Sequence, residues 1–169
     1  MLGHPEAKAE PENARYPARL VETEMSQTLS LTFTASEIAL RTALAQVIRF
    51  LQEGGFSKDF QGVVELVLAE IINNITEHAY AGRQDGQVDL RIRTRSDTVL
   101  FTIYDLGAPM PGGEAPSGKP QDLDCALQDL PEGGFGWFLI RELTEDLFFT
   151  RIEKQNRLTF SMNPARFAQ

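Results

Sequence analysis

The stretch from Glu65 to Tyr80, ELVLAEIINNITEHAY, decides how this chain is read. Val63, Val67, Ile71 and Ile75, with Val64, Leu68 and Ile72 beside them, recur at the spacing of a well-buried helix. Glu70 and Asn74 interrupt that apolar pattern four residues apart, which places them one turn apart on one face, within reach of a single bound object. Adjacent Asn73 and Asn74 are poor mid-helix residues because their amides compete for backbone hydrogen bonds, so the surroundings must compensate for them. An asparagine oxygen suits Mg²⁺, which keeps most of its waters and takes one or two protein oxygens plus phosphates. A carboxylate one turn away can take a proton from an attacking hydroxyl or water. The competing reading is a half-solvated helix whose polar residues simply face water.

Upstream of that helix, Thr28 to Thr34 alternates, with Leu29, Leu31 and Phe33 on one side and Ser or Thr on the other, the pattern of a half-buried strand. Thr34 with Glu37 makes a capping box for a helix whose stripe is Leu40, Leu44, Val47 and Leu51, and Gly54-Gly55 ends it. The second helix is expected from near Ser57 to before Gly82. Downstream, Val88, Leu90 and Ile92, a Ser96-Asp97 turn, and Val99, Phe101 and Ile103 predict an antiparallel hairpin. Its second strand runs into Asp105-Leu106-Gly107-Ala108-Pro109, followed by a Gly- and Pro-dense stretch to Glu132. A loop of that length in a compact domain is usually functional, and it reads as a mobile lid over about 108–133. Gly133-Gly134-Phe135-Gly136 opens a further helix through Trp137, Leu139, Ile140 and Leu143, and Leu147 to Ile152 with Arg157 to Met162 reads as a closing hairpin.

With 169 residues, 42% of them hydrophobic and 24% charged, the chain has the composition of one soluble globular domain, expected over 26–165 behind a flexible tail at 1–25. A net charge of −8 argues against direct nucleic-acid binding, which needs basic patches. Cys125 is the single cysteine, so no intrachain disulfide forms and a reducing compartment fits. No apolar run reaches membrane-spanning length and no signal-peptide core is seen, so a cytoplasmic protein is expected.

Two glycine motifs need care. Gly113 to Lys119 matches the start of a P-loop pattern, but Pro120 stands where the Mg²⁺-binding hydroxyl belongs and no helical pattern follows at once. Gly134-x-Gly136 lacks the third glycine of a dinucleotide fingerprint, yet glycines at a helix start allow close backbone approach and its free amides attract phosphate. Asp105, where an apolar strand ends, can accept from an exocyclic amine such as adenine's, with Gly107 letting a flat ring approach the backbone; a simple Asp-x-Gly turn is the alternative. His78 has only His4 for company, so a hydrogen-bonded structural histidine is expected in place of a zinc ligand.

The order Glu70-x-x-x-Asn74, Asp105-x-Gly107, a lid, then Gly134-x-Gly136 opening a helix resembles the N, G1 and G2 boxes of the GHKL ATPase superfamily, the group of gyrase B subunits and histidine-kinase catalytic domains. Within it, AEIINNITEHAY and GGFGWFLIRELTED look like the anti-sigma-factor serine/threonine kinases of bacteria, over about Leu29 to Met162. The resemblance implies a two-layer α/β (Bergerat) sandwich with helices on one face of a mixed, mostly antiparallel sheet. It implies Glu70 as general base, Asn74 as Mg²⁺ ligand, Asp105 and Gly107 at adenine, and Gly134 and Gly136 around the phosphates of ATP. It also implies a homodimer whose partners are a sigma factor and an anti-sigma antagonist that receives the phosphate. The chain departs from the family in having Pro109 where the G1 box often has glycine, and in a lid with Lys119 as its one cation, placed to reach the terminal phosphate. A nucleotide-responsive binding module without significant transfer is the alternative function.

Overall fold

Alternating apolar and polar residues set one face of a five-stranded sheet against a layer of helices. The computed structural model describes residues 26–116 and 135–168; the expected tail at 1–25, most of the expected lid, Cys125, Lys119 and Gly134 lie outside them. The strands β1 (Thr28–Thr34), β2 (Gln87–Thr94), β3 (Val99–Asp105), β4 (Glu145–Ile152) and β5 (Gln155–Met162) lie in the order β1-β2-β3-β5-β4. The two-layer α/β class holds. The sheet itself is antiparallel at every pairing among the described residues, where a mixed, mostly antiparallel sheet was expected. The reason is that the helices between β1 and β2 form a hairpin of their own, which returns the chain to the end of β1 that it left.

Helix α1 (Glu37–Glu53) buries Leu40, Ala43, Leu44, Val47 and Leu51. Its cap is Ser36, whose hydroxyl accepts from the Ala39 amide at 3.3 Å. The expected Thr34–Glu37 capping box does not form, because Thr34 is still paired with Gln87 in the sheet. Helix α2 (Lys58–Asn74), capped by Ser57, runs between α1 and α3 (Phe135–Leu143). Its Phe60, Val64, Val67 and Leu68 are wholly buried, in one core with Leu90, Ile92, Phe101, Ile103, Leu158 and Phe160 of the sheet. Among the described residues no helix is long and apolar enough to cross a membrane.

After Asn74 the helix widens into a π turn, Ile75–Ala79, in which the Tyr80 amide donates to the Ile75 carbonyl at 2.9 Å. Such widenings are rare and concentrate at functional sites. The chain then bends through Ala81 and Gly82, both at positive φ. Tyr80 fastens this corner to the sheet: its hydroxyl donates to the Gln87 carbonyl at 2.5 Å and accepts from the Leu106 amide at 2.9 Å. The ring lies so close to Gly86 that a Cβ there would sit 2.4 Å from it. One side chain thus ties the end of α2 to the start of β2 and the end of β3. Tyr80→Phe, which leaves both partners short of a bond, is expected to cost about 1–3 kcal/mol, measured as a lowered urea midpoint at unchanged slope.

Candidate functional site

Asn74, the last residue of α2, donates its amide nitrogen to the Glu70 carbonyl at 2.7 Å. This is the compensation the paired asparagines need. Asn73 is exposed, while Asn74 satisfies its nitrogen one turn back and the helix widens immediately after it. An amide whose nitrogen is committed has its oxygen left for a ligand.

Asn74 and Asp105 line one cavity of about 580 Å³. Its walls are Ile71, Ile75 and Ala79 from the α2 end, Trp137 from α3, Phe149 and Leu158 from the sheet, and Ala108 to Pro111 with Pro116 from the loop after β3. A concave, mainly apolar space with a few fixed polar groups at this volume is what a small-molecule site needs. Glu77 and His78 sit on the same wall, and both are exposed. His78, expected as a hydrogen-bonded structural histidine, is an exposed residue that lines the cavity. No group of three or more His, Cys, Asp or Glu side chains is placed to hold a metal among the described residues. What fits Mg²⁺ here is one neutral oxygen, that of Asn74, a donor set that suffices only for an ion whose other ligands are phosphate and water.

Glu70 lies one turn before Asn74, and the start of α3 closes on it. A Cβ at Gly136 would lie 2.6 Å from Glu70 Oε2 and 3.7 Å from the Asn74 amide nitrogen. The glycine is there because the carboxylate occupies the space a side chain would fill. The structure thus brings Glu70, Asn74 and Gly136 together at one end of the site. The amides at a helix start favour negative charge.

Asp105 stands at the other end, 6% exposed. Its Oδ1 accepts from the Gly107 amide and from the Asn156 side-chain nitrogen, each at 2.8 Å, so Oδ2 is left for the cavity. Burial pushes the carboxyl above its ordinary value, against the hydrogen bonds from Asn156 and Gly107 and the charge of Arg151. Gly107 does not line the cavity. Its open side faces the Ala79 backbone, where a Cβ would lie 2.5 Å from the carbonyl oxygen, and the Ala108 amide donates to that same oxygen at 2.7 Å. The glycine lets the β3 loop pack on the π turn, a different reason from the approach of a flat ring.

Three polar residues escaped the sequence reading. Asn156 and Arg151 stand in register with Asp105, which pairs with Asn156 across β3 and β5, while Asn156 pairs with Arg151 across β5 and β4. The signal for them is parity. Asn156 shares the inward face with Leu158, Phe160 and Met162, and Arg151 shares it with Leu147 and Phe149, so each is a polar residue on a core-facing position. Arg141 on α3 donates to the Pro116 and Ala115 carbonyls at 2.6 and 2.7 Å, holding the loop after β3 to that helix.

A sequence model of the histidine kinase-like ATPase domain matches residues 33–162. The chain is similar to a serine/threonine-protein kinase, BtrW, of Bordetella bronchiseptica, at 27% identity over 83% of this chain and 95% of that one. It is similar to a serine-protein kinase, RsbW, of Oceanobacillus iheyensis at 28% identity, where the match spans 55% of this chain and only 60% of that protein's length. The RsbU and RsbW domains of a Mycobacterium tuberculosis protein superpose with a TM-score of 0.56 at 18% identity, over 81% of this chain and 32% of that one, a likeness of fold.

The raised Asp105 value carries a stability consequence. The folded chain holds this proton more tightly than the unfolded chain does, so the group favours folding below about pH 3.8 and that contribution is lost as pH rises through the raised value. Above the raised value the wild type carries the cost of a buried charge. Asp105→Asn keeps an oxygen for Gly107 and Asn156 and removes the titrating group, so it is expected to melt higher than the wild type above the raised value. Melting curves across pH should show that advantage shrinking as the solution is acidified.

Proposed function

The chain belongs to the family of histidine kinase-like ATPase domains, and from that premise we propose that it is an ATP-dependent serine/threonine protein kinase of the anti-sigma type. It phosphorylates an anti-sigma antagonist protein and sequesters a sigma factor, acting as a homodimer. The observation that supports this reading is a single cavity reaching from Asp105 to Asn74, with Glu70 one turn behind Asn74. The kinase names of the similar Bordetella and Oceanobacillus proteins point the same way.

In this reading Asp105 Oδ2 accepts a hydrogen bond from the exocyclic amine of adenine, and the apolar walls exclude water around the ring. Asn74 Oδ1 would hold Mg²⁺, whose charge would neutralise the phosphates, and Gly136 at the start of α3 would lie beside them, together with Gly134, which is outside the described residues. Lys119, outside the described residues, is the lid cation assigned to the terminal phosphate in this reading. Bound Mg·ATP supplies the phosphoryl group and the charge that neutralises it. Glu70 takes the proton of the serine or threonine hydroxyl as that oxygen bonds to the γ-phosphorus; the bond from phosphorus to the bridging oxygen breaks and ADP departs. In a net-acidic chain, catalysis of this kind rests on positioning and charge neutralisation by metal and backbone amides.

A nucleotide-responsive binding module is the second reading. It is favoured by Pro109, which stiffens the start of the loop, and by the Arg141 clamp on Ala115 and Pro116. Two substitutions at the Glu70 end separate the readings. Glu70→Gln is expected to lower transfer of labelled γ-phosphate to the purified antagonist protein by about 10²–10⁴-fold, leaving ATP affinity unchanged. Gly136→Ala meets only the flexible end of Glu70, so it should fold normally while displacing the carboxylate and slowing transfer. Transfer at the wild-type rate in Glu70→Gln contradicts the assignment of the base. ATP binding by the wild type without any transfer selects the binding module.

A further inference from the structure

The mechanism above leaves Arg151 without a role, although it is half-buried on the core-facing side of an edge strand. Its Nη1 donates to Asn156 Oδ1 at 2.5 Å and to the Gly107 carbonyl at 2.9 Å. A guanidinium has donors only, so the end of the Asn156 amide that faces it must be the oxygen. The nitrogen end then points the other way, at Asp105 Oδ1 at 2.8 Å and the Ala108 carbonyl at 2.9 Å. Arg151 on the oxygen side and the Ala108 carbonyl on the nitrogen side together fix which way round the amide sits.

The consequence reaches the ligand-facing oxygen. With Oδ1 filled by two donors, Asp105 presents Oδ2 to the cavity purely as an acceptor. Were the Asn156 amide reversed, its oxygen would oppose Oδ1, and a proton on the carboxyl would relieve the clash of two acceptors. That proton would sit on Oδ1 between the two oxygens and leave Oδ2 as the carbonyl oxygen of a neutral acid, a weaker acceptor for an amine than a carboxylate oxygen.

We propose that Arg151 is the specificity-determining positioning residue of this cavity, locking the Asn156 amide so that Asp105 selects a purine with an exocyclic amine over one with a carbonyl at that place. The proposal rests on the reading of the cavity as an ATP site. Burial pushes the Asp105 carboxyl up, and the Asn156 hydrogen bond and the Arg151 charge are two of the influences that hold it down. The Gly107 amide is the third such influence. Tyr80, from the turn after α2, gives its proton to Gln87 and takes one from Leu106, while Glu77 and His78 lie on the exposed part of the cavity wall.

The test is a calorimetric comparison of ATP with inosine triphosphate, which carries a carbonyl where adenine carries its amine. The full chain is used, in the wild type, Arg151→Met, Arg151→Lys and Asn156→Asp, from pH 6 to 8, with circular dichroism to check folding. The wild type should prefer ATP at every pH. Arg151→Met should lose at least about tenfold of that preference, the loss expected for one charge-assisted hydrogen bond, and its ATP affinity should weaken as pH falls. Arg151→Lys, still a cation with donors only, should keep the preference. Asn156→Asp, which puts an oxygen toward Asp105 with Arg151 in place, should lose it and covers the case of an unfolded Arg151→Met. An unchanged ratio in Arg151→Met or Asn156→Asp, or an equal loss of affinity for both nucleotides, overturns the proposal while the ATP site stands. A wild type that binds neither nucleotide overturns the ATP reading together with it.

Discussion

A carboxylate placed where a strand ends and water is mostly excluded has few ways to remain charged. Asp105 depends on a row of residues running across the sheet: Asn156 on β5 beside it, Arg151 on β4 beyond that, and the Gly107 amide in its own loop. The same row fixes the start of the loop after β3, since Arg151 and Asn156 also hold the carbonyls of Gly107 and Ala108. The π turn completes the arrangement from the helical side, where the Ala79 carbonyl receives the Ala108 amide and leaves no room for a side chain at position 107. Sheet register, loop path and ligand chemistry therefore meet at one oxygen atom.

At the opposite end the constraint is steric. Glu70 occupies the volume that a side chain at Gly136 would need, so α3 can begin close to the Glu70–Asn74 column. Asn74 repays its awkward helical position by bonding back to Glu70, which turns its oxygen into the one free acceptor of that amide. The two ends are held apart by apolar walls, a geometry that suits a ligand with a flat ring at one end and negative charge at the other.

Much of this arrangement is legible in the sequence. The α2 helix, both hairpins and the α3 start follow from periodicity and glycine placement, because burial against one sheet face imposes those patterns. Glu70, Asn74 and Asp105 stood out as polar residues in apolar runs. What could not be read was pairing between distant strands: nothing local in the chain says that Asn156 and Arg151 come to lie beside Asp105, and the strand expected from Arg157 began one residue too late to include Asn156. Ser36 displaced Thr34 as the cap because sheet pairing claimed Thr34 first, a long-range contact overriding a local motif. The freedom of approach at Gly107 is evident from its residue type, yet the backbone it admits belongs to Ala79.

The central claim is that the cavity between Asp105 and Asn74 binds ATP with its metal, and the most direct measurement is calorimetric titration of ATP into the full chain with and without Mg²⁺. The account predicts one site per chain with a dissociation constant in the micromolar range, roughly −8 kcal/mol, that weakens strongly when Mg²⁺ is withheld. Absence of binding under both conditions, or binding indifferent to Mg²⁺, would contradict it.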